Sequence, residues 1–153
     1  MRYDCQPIIL GHFFRNFRIH AVGFKSITGR NMRLKNKVAI VTGGASGIGA
    51  ATCRLYAQEG AAGIVVADIN EEAGRSVADN IVQAGGEAIF VHLDVSVESQ
   101  WIDTVNTTVE RYDRLDITVN NAGMSVAESR VKVEDTTIEI WDRLHAVNST
   151  GVF

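Results

Sequence analysis

The sequence is poor in proline and cysteine: Pro7 is its one proline, and Cys5 and Cys53 are its two cysteines. Two cysteines so far apart support neither a disulfide framework nor a zinc site, so no metal is expected. Cys53 reads as a buried thiol. No run of 18 apolar residues occurs, which excludes a membrane-spanning helix. Aromatics are also few, at 7%. Hydrophobic residues make up 46% and charged residues 22%, which excludes a collagen-like or disordered chain. The stretch 32–153 is long enough for one core and too short for two domains.

Charge divides the chain. Residues 1–33 carry Arg2, Arg15, Arg18, Lys25, Arg30 and Arg33 against Asp4 alone, a net +5. The remainder carries 9 basic and 17 acidic residues, a net −8. The first segment also holds Phe13, Phe14, Phe17 and Phe24, four of the six phenylalanines. It is expected to be a basic extension over 1–31, disordered or non-native, preceding a domain that opens at Met32. Organelle targeting is the lesser alternative: the segment is basic and acid-poor, but has few hydroxyl residues and no clean amphipathic repeat. A membrane-surface or partner contact by its Phe/Arg mixture is a third. The acidic body argues against nucleic acid. No membrane partner is expected, and the expected compartment is the cytoplasm.

From Lys37 onward, apolar runs alternate with helical periodicity. Val38–Val41, Ile64–Ala67, Ala88–His92 and Ile117–Val119 read as strands. Helices are expected between them. The first is capped by Ser46, runs through about Gly60 and carries Ile48, Ala51, Thr52 and Leu55 on one face. The second starts at Asn70 and ends at Gly85-Gly86. The third is capped by Ser96 and carries Trp101, Ile102, Val105 and Val109. The fourth opens at a capping-box-like Thr136-Thr137-Ile138-Glu139 and carries Ile140, Trp141, Leu144 and Val147. Strands that are apolar throughout are covered on both faces. The expected fold is therefore α/β, a Rossmann-type doubly wound parallel sheet.

The first strand runs into Thr42-Gly43-Gly44-Ala45-Ser46-Gly47-Ile48-Gly49. Glycines at 43, 47 and 49 permit a tight turn, a close approach of pyrophosphate to backbone, and close helix–strand packing. The helix start then presents amides and a positive dipole end to the anion. A glycine-rich turn alone is a weak signal. Its place between a strand and a helix strengthens it, as does Asp68 at the end of the second strand, where a carboxylate can accept from ribose hydroxyls. An aspartate there repels a 2′-phosphate, and no Lys or Arg follows closely. NAD is therefore favoured over NADP. A methyltransferase would show the same loop and acid.

Three further segments remove that ambiguity. Asp94-Val95 follows the third strand, Asn120-Asn121-Ala122-Gly123 follows the fourth, and Val147-Asn148-Ser149-Thr150-Gly151-Val152-Phe153 closes the sequence. With the glycine loop they resemble, in order, the motifs of the classical short-chain dehydrogenases/reductases, over Met32–Phe153. The resemblance implies a strand order of 3-2-1-4 and a role for each matching residue. Gly43, Ser46, Gly47, Ile48 and Gly49 would cradle the pyrophosphate. Asp68 and Ile69 would bind the adenosine ribose. Asp94 would bond the adenine amino group, with Val95 beside it. Asn120, Ala122 and Gly123 would border the nicotinamide ribose. Asn148 would be the asparagine of the catalytic tetrad, positioning a water.

The same resemblance demands a Ser, and a Tyr followed at the fourth position by a Lys that lowers its pKa. Tyr3 is followed there by Pro7, Tyr56 by Gly60 and Tyr112 by Asp116. The tyrosines therefore read as packing residues. The expectation is the N-terminal half of an NAD-binding domain over 32–153, inactive alone. Its parent would be an oxidoreductase acting on a small alcohol or ketone, and a homo-oligomer. Three origins stay open: a fragment of a longer gene, a truncated product, or a non-catalytic dinucleotide-binding or interaction module. The loop from Met124 to Asp135, with Ser125, Glu128, Arg130 and Lys132, reads as solvated.

Overall fold

In a computed structural model, residues 32–125 and 133–153 are described. The basic segment 1–31 and the loop residues Glu128, Arg130 and Lys132 lie outside them. The chain divides into two units, Met1–Arg30 and Asn31–Phe153, and the description concerns the second.

Four strands form one parallel sheet: β1 (Val38–Thr42), β2 (Gly63–Asp68), β3 (Ala88–His92) and β4 (Ile117–Val119). Their order is β3-β2-β1-β4, as expected. The helices α1 (Gly47–Gln58), α2 (Glu71–Gln83), α3 (Glu98–Tyr112) and α4 (Ile138–Asn148) alternate with them. Parallel neighbours require a crossover, and each helix between strands supplies one.

Alternation along β1 and β2 splits the core in two. Val41, Ile64 and Val66 pack with Ala50, Cys53, Val77, Ala78 and Ile81 from α1 and α2. Ile40, Val65 and Ala67 face the other side, with Leu93 and Val95, and there meet Trp101, Val105 and Tyr112 of α3. Both middle strands are buried along nearly their whole length. Each fully buried Val or Ile there contributes about 1.5–3 kcal/mol of transfer free energy. Cys53 is a free buried thiol, and burial pushes its pKa up to about 12.

Several helix details differ from the sequence expectation. The buried face of α1 is Gly49, Ala50 and Cys53, whereas Ile48 and Leu55 are exposed. On α3 the fully buried residues are Thr104 and Thr108, whereas Ile102 and Val109 are exposed. Threonine fits there because each hydroxyl donates to the carbonyl one turn back, Thr104 to Gln100 (2.7 Å) and Thr108 to Thr104 (2.6 Å). Ser96 does not cap α3. Its hydroxyl donates to Asp94 Oδ1 at 2.6 Å, and the helix starts two residues later. The cap of α4 is Thr137, not Thr136, and accepts from the Ile140 amide. Asn70 caps α2 as expected, accepting from Ala73.

Candidate cofactor-binding site

The site forms where the strands end. Thr42 closes β1 and is 1% exposed. Its Oγ1 accepts from the amides of Asn121 and Ala122, both at 3.0 Å, and donates to the Val119 carbonyl at 3.3 Å. The Asn121 side-chain amide donates back to the Thr42 carbonyl at 3.0 Å. The turns after β1 and β4 are thereby laced together, and the hydroxyl's hydrogen-bonding capacity is filled.

Within the glycine loop, Gly47 has φ +50°, a left-handed conformation that favours glycine. A Cβ built there meets no atom within 4 Å, because it points into open space. Gly49 is the opposite case. A Cβ there would run into the Gly43 carbonyl, so this glycine lets the helix start pack on the loop. Ser46 occupies the N-cap of α1 but makes no capping bond with its side chain.

Asp68 ends β2 and ties the loop to the strand. Its Oδ2 accepts from the Ala45 amide at 3.0 Å and its Oδ1 from the Asn70 amide at 2.9 Å. Each oxygen retains a further lone pair. Asp94 follows β3. Its Oδ1 accepts from both the hydroxyl and the amide of Ser96, and these bonds hold the carboxyl below its ordinary pKa. Charge from His92 and Arg143 adds to that effect.

These groups surround a cavity of about 640 Å3. Gly43, Ser46, Gly47 and Ile48 line it from the loop, and Asp68 and Ile69 from the end of β2. Asp94 and Val95 line it after β3, and Ala122 and Gly123 after β4. Ten of the twelve cofactor residues expected from sequence are thus together. Gly49 is buried under the loop. Asn120 lies elsewhere, lining a second cleft with Trp101 and Thr118. Its neighbour Asn121 takes the place in the cavity. Asn148 does not line the cavity either: its Oδ1 accepts from the Met124 amide (2.8 Å) and its Nδ2 donates to the Met124 carbonyl (2.9 Å).

Sequence reasoning missed Asn121 and the α4 face of Arg143, Ala146 and Val147. The three-and-four spacing of that face was a usable signal. The choice between adjacent asparagines had none, since both are polar and both follow the strand.

The arrangement is that of a doubly wound dinucleotide fold. The glycine turn after β1 and the acid after β2 sit at the carboxyl ends of the strands, beside the point where strand order reverses between β1 and β4. Comparison with known proteins sharpens this. The short chain dehydrogenase family matches residues 37–153, and the chain belongs to that family. It is 45% identical to tropinone reductase-like 2 of Erythroxylum coca over 129 residues, covering 84% of this chain and 46% of that protein. It is 44% identical to cyclopentanol dehydrogenase of Comamonas testosteroni over 121 residues, covering 79% and 47%. The fold matches hydroxysteroid dehydrogenase from Escherichia coli with a TM-score of 0.71 and 33% identity, over 79% of this chain and 49% of that one. The chain therefore spans about half the length of the relatives it matches. Its family is one of oxidoreductases that use NAD or NADP.

Proposed function

We propose that this chain is the cofactor-binding half of an NAD-dependent short-chain oxidoreductase whose substrate is a small alcohol or ketone. The observation that carries the reading is the cavity built from the glycine loop, Asp68 and Asp94. The residues fit a dinucleotide. Open space in front of Gly47 leaves room for a pyrophosphate against the backbone. Asp68, held by two amides, keeps lone pairs for ribose hydroxyls and disfavours a 2′-phosphate. Asp94 stays ionised and its Oδ2 is left as an acceptor for an exocyclic amine. When bound, the nicotinamide would supply or accept the hydride.

The chain's own residues would bind and orient. Asn148 would fix the backbone at Met124 beside the nicotinamide end. No Tyr-x-x-x-Lys pair occurs in the 153 residues, so these residues alone lack the proton donor that carbonyl reduction needs. We expect no turnover from them. The parent enzyme would be a homo-oligomer.

Titration of the 153-residue chain with NAD, NADP and S-adenosylmethionine tests the reading. The expected order is NAD before NADP, with no binding of S-adenosylmethionine. Asp68→Asn should narrow the preference for NAD. Preference for NADP in the wild type would overturn the cofactor assignment. Steady NADH production from an alcohol by this chain would overturn the claim of inactivity.

A further inference from the structure

Arg143, Ala146 and Val147 line the cavity from one face of α4. Val147 packs towards the core that holds Leu93 and Val95. Arg143 sits one turn before it. The other charged side chains lining the cavity are Asp68 and Asp94, so Arg143 is the single cation there among the described residues. Its guanidinium is exposed and makes no ion pair among them. It shares the cavity with Asp94, and its charge helps, after Ser96 and His92, to hold that carboxyl below its ordinary pKa.

We propose that Arg143 is an adenine contact, its guanidinium covering the face of the base whose edge meets Asp94. The proposal rests on the dinucleotide reading and adds a residue to it. Three physical points favour the base over the phosphates. A guanidinium is planar and weakly hydrated, and it stacks on aromatic faces. Asp94, which lines the same cavity, has Oδ1 filled by Ser96 and an open Oδ2 that suits an exocyclic amine. The loop from Gly43 to Gly49, with the start of α1, already supplies backbone amides and a dipole for the pyrophosphate. The adenine would then be read on its edge by a carboxylate and on its face by a cation.

The test is titration of the full chain and of Arg143→Ala and Arg143→Lys with NAD, NADP and AMP, each at low and high salt. Arg143→Ala should weaken NAD and AMP alike, by about 2- to 30-fold, the range of a cation over an aromatic face. The loss should persist at high salt, and Lys should recover only part of it. Melting of the ligand-free variants should match the wild type, since Arg143 is exposed and makes no ion pair among the described residues. Wild-type affinity for NAD in Arg143→Ala would overturn the proposal. So would a loss confined to NADP, or one that salt abolishes, because either marks a phosphate contact. Failure of the wild type to bind any of the three would instead remove the dinucleotide reading itself, and this proposal with it.

Discussion

Thr42 lies at the end of β1, and its hydroxyl joins two turns 79 residues apart in sequence. Thr42→Val keeps the shape and removes the acceptor of two amide bonds. The expected cost is about 1–3 kcal/mol, read as a lower urea midpoint at unchanged m-value. An unchanged midpoint would show that the lacing of the two turns is dispensable. Tyr112 is the reverse case. Its hydroxyl is buried with no hydrogen-bond partner among the described residues, and burial raises its pKa. Tyr112→Phe should therefore leave stability unchanged or raise it by about 1 kcal/mol. A loss of that size would mean that the hydroxyl has a partner in solution. At this scale the sequence was only partly legible. Asp68 could be found because an acid at the end of an apolar strand is conspicuous, whereas Asp94 was marked by its resemblance to a family motif. Thr42 looked like the first letter of a glycine motif, because nothing in the sequence tells where the Asn121 amide will lie.

The strands were the most legible elements. Val38–Val41 and Ile64–Ala67 are apolar without a break, and only burial on both faces accounts for that. The helices were less so. On α1 two stripes are apolar, and the larger side chains, Ile48 and Leu55, are the exposed ones. The sheet is approached instead by Gly49, Ala50 and Cys53, whose small size permits close packing. Periodicity marks a helix but does not choose between a bulky stripe and a small one. Thr104 and Thr108 misled for a related reason, since intrahelical bonds satisfy their hydroxyls and leave methyl groups to pack.

Asp116, just before β4, tests an element joint. It accepts from the first amide of β1, Val38, at 2.9 Å and from Lys37 at 3.2 Å, and it pairs with Arg114. These groups, Arg114 foremost, hold its carboxyl well below the usual carboxylate range. The folded pKa lies below the unfolded value of about 3.9. The stabilisation is therefore present above about pH 4 and disappears as pH falls through the folded pKa. Asp116→Asn should lower stability at pH 7 and flatten the acid limb of a stability–pH curve. An unaltered acid limb would remove Asp116 as its source.

For the molecule as a whole, the sheet has two unlike edges. β3 is flanked by α2, whereas β4 is three residues long and, among the described residues, pairs only with β1. Beyond it, α4 fully buries no residue, and Val147 only partly covers the core. Ile138, Trp141, Val152 and Phe153 are largely exposed. In the doubly wound order a fifth strand would continue beside β4. An open strand edge next to apolar surface favours association. The 153 residues should therefore melt below about 45 °C, the lower end of the range for ordinary domains, and associate with rising concentration. A monomer at all concentrations with a midpoint inside that range would contradict this. The overall order 3-2-1-4 was legible because its motifs appear in sequence order.

The most direct test of dinucleotide binding by this half-length unit is thermal melting of the whole chain with and without NAD. A ligand at 100 times its Kd adds about 2.7 kcal/mol. For a chain of this size the midpoint should then rise by about 5 °C or more. Gly47→Ala, which adds a methyl group in the open space before a residue that lines the cavity, should abolish most of that rise. A midpoint indifferent to millimolar NAD, or a rise equally large in Gly47→Ala, would contradict the account.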